Sequence, residues 1–203
     1  MNNTTAIITG DIINSRKETP KAWLPYLKEA LNAYGEEPRQ WEIYRGDSFQ
    51  LEVLPKQALE AAIFIKATIK QNKGIDVRIA IGIGEKDYDS EKITESNGSA
   101  FVHSGACFEG LKKQTLALQS DSKTFDNTLN LMLQLASLNM NHWLPATARI
   151  VKASMENPNF NQKELAASLE NSQSNISEAL IRAGFDEVQK MIHYYKTQIE
   201  QLW

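Results

Sequence analysis

The sequence predicts an α+β protein: a ferredoxin-like or palm sheet with helices on one face, followed by an all-α helix-turn-helix domain. Two observations carry this. Short β-branched strand signals alternate with amphipathic helical stretches as far as about residue 122, and from Lys123 onward the strand signals vanish. A third observation is the capping pattern Asn161 to Glu164, followed by a polar break and a second amphipathic stretch.

Residues Ala6 to Ile8 and Ile12 to Ile13 flank Thr9, Gly10 and Asp11, a pattern that predicts a first strand running into a loop at Asp11. Pro20 opens a helix to about Tyr34, whose stripe of Trp23, Leu24, Leu27, Ala30, Leu31 and Tyr34 must face another element. Trp41 and Ile43, then Phe49, Leu51 and Val53, alternate on either side of Arg45-Gly46-Asp47-Ser48, which reads as a hairpin with Asp47 at its tip. Pro55 starts a second helix to about Lys73. Val77 to Ile83 is a strand, and Gly82 and Gly84 at its exit let backbone approach something closely. After a polar surface segment over 85–97, Gly98 leads into a third helix to about Lys113, and Thr115 to Leu118 reads as one more short strand.

The spacing divides the chain into 1–122, a palm; 123–144, a connecting helix with Leu129, Met132, Leu133, Ala136, Leu138 and Met140; and 145–203, the helix-turn-helix. Within the last part, Asn161 caps a short helix over Gln162 to Leu169. Glu170, Asn171 and Ser172 form the break, and Ile176, Ala179, Leu180 and Ala183 lie on one face of a second helix. Its outward residues Ser172, Gln173, Ser174, Asn175, Ser177 and Arg182 suit contact with base edges and phosphate, which makes DNA the expected partner. Glu170 stands at the turn position where glycine is common. The stripe Val188, Met191, Ile192, Tyr195, Ile199 and Leu202 on the last helix reads as a dimer seam, as a contact between domains or, equally, as core packing.

Composition narrows the function. With 22 Lys and Arg against 25 Asp and Glu, net −3, the chain is not a nonspecific coat for nucleic acid, and selective binding calls for a homodimer. The single cysteine, Cys107, excludes an intrachain disulfide. The absence of a signal-like start or of a long apolar run leads to an expectation of a cytoplasmic protein with no membrane partner.

The motifs Thr9-Gly-Asp-Ile-Ile, Arg45-Gly-Asp-Ser-Phe, Arg78-Ile-Ala-Ile-Gly-Ile-Gly-Glu85 and Gly98-Ser-Ala-Phe-Val-His-Ser-Gly105 are similar in order to those of class III nucleotide cyclases and GGDEF-type palms. The whole chain resembles the bacterial SatD family. The resemblance implies a metal site, Mg2+ or Mn2+, at Asp11, the Ile12 carbonyl and Asp47, with Gly10, Arg45, Gly46, Arg78 and His103 beside a nucleotide or related phosphorylated ligand. It also places His103 and Cys107 where a cyclase helix carries an asparagine and an arginine, so no catalytic residue is assigned. The expected function is a DNA-binding transcriptional regulator whose palm senses a metal-bound nucleotide. The alternative is a nucleotidyl cyclase-like enzyme whose helical tail serves dimerisation.

Overall fold

The computed structural model describes residues 4–202. Strands β1 (Thr4–Ile13), β2 (Trp41–Tyr44), β3 (Ser48–Val53), β4 (Asp76–Glu85) and β5 (Leu116–Gln119) form one sheet in the order β2-β3-β1-β4-β5. Neighbours are antiparallel except β4 and β5, which are parallel. Helices α1 (Pro20–Asn32) and α2 (Ala58–Ile69) precede β4, α3 (Ser99–Gly110) precedes β5, and α4 (Lys123–Met140), α5 (Pro145–Glu156), α6 (Gln162–Ser168), α7 (Gln173–Ala183) and α8 (Phe185–Leu202) follow. The α+β class read from the sequence is therefore the one observed.

Strand alternation assigns each face of the sheet. Ala6, Ile8 and Ile12 of β1 and Ile79, Ile81 and Ile83 of β4 point into the main core, where α1 and α2 pack. Ile7 and Ala80 point the other way, into small clusters with Ala100 and Leu111 around α3. Helices thus cover both faces, which corrects the expectation of one covered face. The reason lies in β4: a Cβ on Gly82 would stand 2.2 Å from the Ala100 carbonyl oxygen, and one on Gly84 2.7 Å from the Ala100 amide. Bare backbone at these positions lets α3 lie directly on the strand.

Two boundaries differ from expectation. β1 continues through Asp11 to Ile13, because Gly10 and Asp11 pair on one side with Phe49 and Ser48 and on the other with Ile79 and Arg78. The helix expected from Pro55 to Lys73 begins as a short 3-10 turn over Pro55–Gln57, and α2 itself ends at Ile69 ahead of a turn at Gly74.

Every residue of α2 except Glu60 is buried. The sheet lies on one side of it and α1, α5 and α8 on the other. Ala148 and Val151 of α5, with Val188, Met191, Ile192, Tyr195 and Ile199 of α8, join the main core. The stripe on α8 is accordingly an intramolecular contact, sealed by the Tyr195 hydroxyl donating to the Pro55 carbonyl at 2.7 Å and by Lys196 on Glu60 at 2.7 Å.

Burial of α2 carries Lys66 inside, 1% exposed. Its ammonium donates to Asp76 at 2.8 Å, Lys70 donates to the same carboxylate at 3.1 Å, and Lys70 also reaches the Asn141 carbonyl at 2.8 Å. Burial pulls the Lys66 pKa below its ordinary value, while the Asp76 charge and hydrogen bond oppose that. Removing one partner of a buried pair leaves a charge unanswered, whereas an apolar replacement of similar shape is tolerated. Asp76→Asn, which leaves two ammonium groups unanswered, is expected to cost about 3–5 kcal/mol in urea unfolding, and Lys66→Met, which leaves Asp76 paired with Lys70, to cost less. Equal losses in the two variants would show that the pair, and not its imbalance, is what matters.

Candidate functional site

The register places Tyr44, Ser48, Asp11 and Arg78 in one row across β2, β3, β1 and β4, on the face that α3 covers only over β1, β4 and β5. Arg78 Nε donates to Asp11 Oδ1 at 2.9 Å, and Arg78 Nη2 donates to Asp11 Oδ2, a two-pronged pair that is about one third exposed on the arginine side and 19% on the aspartate side. The guanidinium also lies 5.4 Å from the centre of the Phe108 ring of α3. Its pKa is raised, first by the Asp11 hydrogen bond and further by the charges of Asp11 and Asp47, against the opposing effect of burial.

Asp47 lies in the β2–β3 loop, where Arg45 (φ 52°) and Gly46 (φ 89°) take left-handed backbone. Its Oδ2 accepts from the Ser15 hydroxyl at 2.5 Å, and its carbonyl accepts from the Ile12 amide at 3.2 Å. A strand residue turns its N–H and C=O toward the same neighbour, so the Ile12 carbonyl also faces this loop. Burial raises the Tyr44 phenol above its ordinary pKa, with Arg45 lowering it and Asp11 raising it, which puts all three groups within one electrostatic neighbourhood. Asp11, Ile12, Asp47, Arg45, Gly46 and Arg78 are thus brought to one end of the sheet.

Gly10 and His103 are not part of that arrangement. The face of Gly10 is the core face, where a Cβ would meet the Phe49 ring at 2.5 Å; the glycine makes room for an aromatic ring and not for a ligand. His103 Nδ1 is 2.8 Å from the Ile83 carbonyl and Nε2 is 3.5 Å from Asp121. Ile83 lies five residues along β4 from Arg78, about 16 Å at strand rise. Cys107 sits half-buried against Ala80 and Leu111, and burial, with the Asp126 charge, pushes its thiol up to about 12, which keeps it an unreactive neutral group. Tyr44, Ser48 and Ser15 escaped the sequence reading. Tyr44 precedes the turn on an alternating strand, but only pairing across the sheet shows that it shares a row with Asp11.

Among the described residues no group of three or more His, Cys, Asp or Glu could hold a metal ion. Asp11 and Asp47 with the Ile12 carbonyl are what this end of the sheet offers. Mg2+ commonly binds through one or two carboxylates and completes its shell with water and phosphate oxygens, so this donor set fits it only together with a phosphorylated ligand.

At the other end of the chain, α5, α6 and α7 pack around Ile150, Ala153, Leu165, Ala166, Ile176 and Ala179. Asn161 caps α6 by accepting from Lys163 and Glu164, and Glu164 returns a bond to the Asn161 amide at 2.8 Å. The turn closes as a Schellman motif: Glu170 adopts φ 51°, its amide bonds the Ala167 carbonyl, and the Asn171 amide bonds that of Ala166. Gln173, Ser174, Asn175 and Arg182 are exposed on α7, while Ser177 is half-buried. Ser172 is spent on the N-cap, accepting from the Asn175 amide at 3.2 Å, Asn175 itself donates to Asn171, and Arg182 pairs with Glu178 at 3.3 Å. The C-terminal carbonyls of α7 are held from α4 and the turn after it: Asn139 donates to Arg182 O at 3.0 Å and the Trp143 indole donates to Ala183 O at 3.1 Å.

No protein-family model matches the chain, and neither does any curated protein.

A left-handed glutamate carries a backbone cost that glycine does not. Glu170→Gly is expected to raise stability by about 1 kcal/mol in chemical denaturation with the fold unchanged. A destabilised variant would mean that the Glu170 side chain holds the turn by a contact of its own.

Proposed function

We propose that the chain is a DNA-binding transcriptional regulator in which α7 enters the major groove and the palm senses a metal-bound nucleotide or a related phosphorylated ligand. The observation that carries the DNA half is the α5–α6–α7 unit, with its own small core, its left-handed turn and a second helix whose outward face is polar. Gln173, Ser174 and Asn175 at the start of α7 have the amide and hydroxyl groups that read base edges. The Arg182–Glu178 pair is exposed at both ends, so it is worth little and gives way readily to a phosphate.

The ligand half rests on the Asp11, Asp47 and Arg78 cluster. The cation would supply charge neutralisation of phosphate, held by the two carboxylates and the Ile12 carbonyl, while Arg78, released from Asp11, turns its donors to phosphate oxygens. Coupling to the reader needs no flexible linker. The Asn130 amide bonds both the Leu118 amide, at 2.9 Å, and its carbonyl, at 2.8 Å, on β5, and Asn139 holds α7 from the far end of the same helix. No helix among the described residues is long and apolar enough to cross a membrane; a cytoplasmic setting belongs to the proposal.

The same cluster supports a second reading, a nucleotidyl cyclase-like enzyme in which Arg78 takes the place of the arginine missing from α3. Incubation with each nucleoside triphosphate and manganese distinguishes the two: the regulator yields no new nucleotide by mass spectrometry, and any product that Asp47→Asn abolishes favours the enzyme.

Two outcomes are expected of the regulator. In a genomic footprint, the double variant Gln173→Ala with Asn175→Ala loses selective sites, at about 1–3 kcal/mol for each base that is no longer read, while its melting curve is unchanged. Footprints that persist in this variant would remove α7 as the reader. By calorimetry, a nucleoside triphosphate with magnesium binds the wild-type chain and not Asp11→Asn; absence of heat with all four triphosphates would end the nucleotide-sensing half.

A further inference from the structure

α4 carries two apolar stripes. Phe125, Leu129, Leu133 and Met140 enter the main core. Leu131, Leu135 and Leu138 point outward, 59%, 61% and 72% exposed, and Leu144, which lines a cavity with Leu138, is 69% exposed. The outer row is spaced by four and then three residues. That is the spacing of a helix seam meeting another helix. Between this row and α8 runs a groove of about 630 Å3 lined by Met132, Leu135, Val188, Met191 and Tyr194.

We propose that this α4–α8 face is the surface on which a second copy of the chain docks, through a two-fold interface that pairs the outer row of α4 with its own counterpart. Three observations choose a second copy as the occupant. Residues 127–148 contain no Asp, Glu, Lys or Arg, in a chain that is 23% charged. Two copies with net charge −3 repel wherever acidic surface meets acidic surface, and this is a stretch on which they meet without that penalty. The charges on the groove wall are Glu187 and Lys190, which lie 3.8 Å apart on α8 and balance each other, so they add no net repulsion when two copies meet here. The size also fits. α4 is 18 residues, about 27 Å long, and with the flank of α8 it presents a face roughly two helix diameters wide, of the order of the roughly 800 Å2 per partner that a stable interface needs.

Arg182 of α7 adjoins this face, its carbonyl held by Asn139, so docking there brings two copies of α7 close together. The inference rests on the proposed DNA-binding reading only for that consequence. Sedimentation of the full chain without DNA tests the interface itself. At about 50 μM the wild-type chain is expected to sediment as a dimer, and Leu135→Glu with Leu138→Glu as a monomer, at least about 100-fold weaker in association. Leu54→Glu, on an equally exposed leucine that does not line the groove, keeps the dimer. A wild-type monomer overturns the inference, as does a dimer that survives the double substitution or is lost equally with Leu54→Glu. A dimer that footprints nowhere would sink the DNA reading and leave this interface standing, whereas a monomer that still footprints would sink the interface alone.

Discussion

The burial of α2 on all sides is the constraint from which the rest of the architecture follows. A helix that is apolar around its whole circumference must be enclosed, and a single sheet face encloses only half of it. The other half is closed by α1, α5 and α8, so part of what the chain uses to present α7 is also the roof of the palm. The helix-turn-helix unit is consequently not a satellite on a tether. Its supporting helix α5 has two apolar sides, Ile150 and Ala153 toward α6 and α7, and Ala148 and Val151 toward α2. The same enclosure forces Lys66 inward, where Asp76 answers its charge and Thr115 accepts a further bond, while Lys70 shares that carboxylate and turns to the Asn141 carbonyl.

The two faces of the sheet divide the work. One is aliphatic and packs on α2. The other gives up side-chain volume at Gly82 and Gly84 so that α3 can sit close, and toward β2 and β3 it becomes polar, with Glu42, Ser48 and Gln50 in place of aliphatic residues. At the edge of α3, where Phe108 lies against Arg78, the Asp11–Arg78 pair and Asp47 stay partly exposed. Charge on charge at this location holds two strands in register and at the same time keeps a donor set that a cation and a phosphate could share between them.

α7 is specified by shape more than by charge. Its caps and left-handed turn fix its angle to α6, and Asn139 and Trp143 fix its far end to α4, yet its one arginine is already engaged by Glu178. For the DNA-binding role proposed above, weak electrostatic attraction in a single copy is the physical reason that two copies are called for, because pairing multiplies affinity without adding charge.

The positions and types of the helices and strands, the helix-turn-helix break at Glu170 and the hairpin holding Asp47 were legible in the sequence, because caps, turns and periodicity are properties of neighbouring residues. The sequence alone also placed Asp11 and Asp47 on separate elements that could converge. Tertiary structure decided what lies across space. It set Arg78 against Asp11, put Tyr44 in their row, gave Gly10 to the Phe49 ring, removed His103 to the edge beside Asp121, and sent the apolar stripe of α8 into the core while leaving Leu131, Leu135 and Leu138 of α4 outside. Periodicity reports that a face is apolar and is silent on what covers it, since that depends on strand register and on how helices from distant parts of the chain share one core.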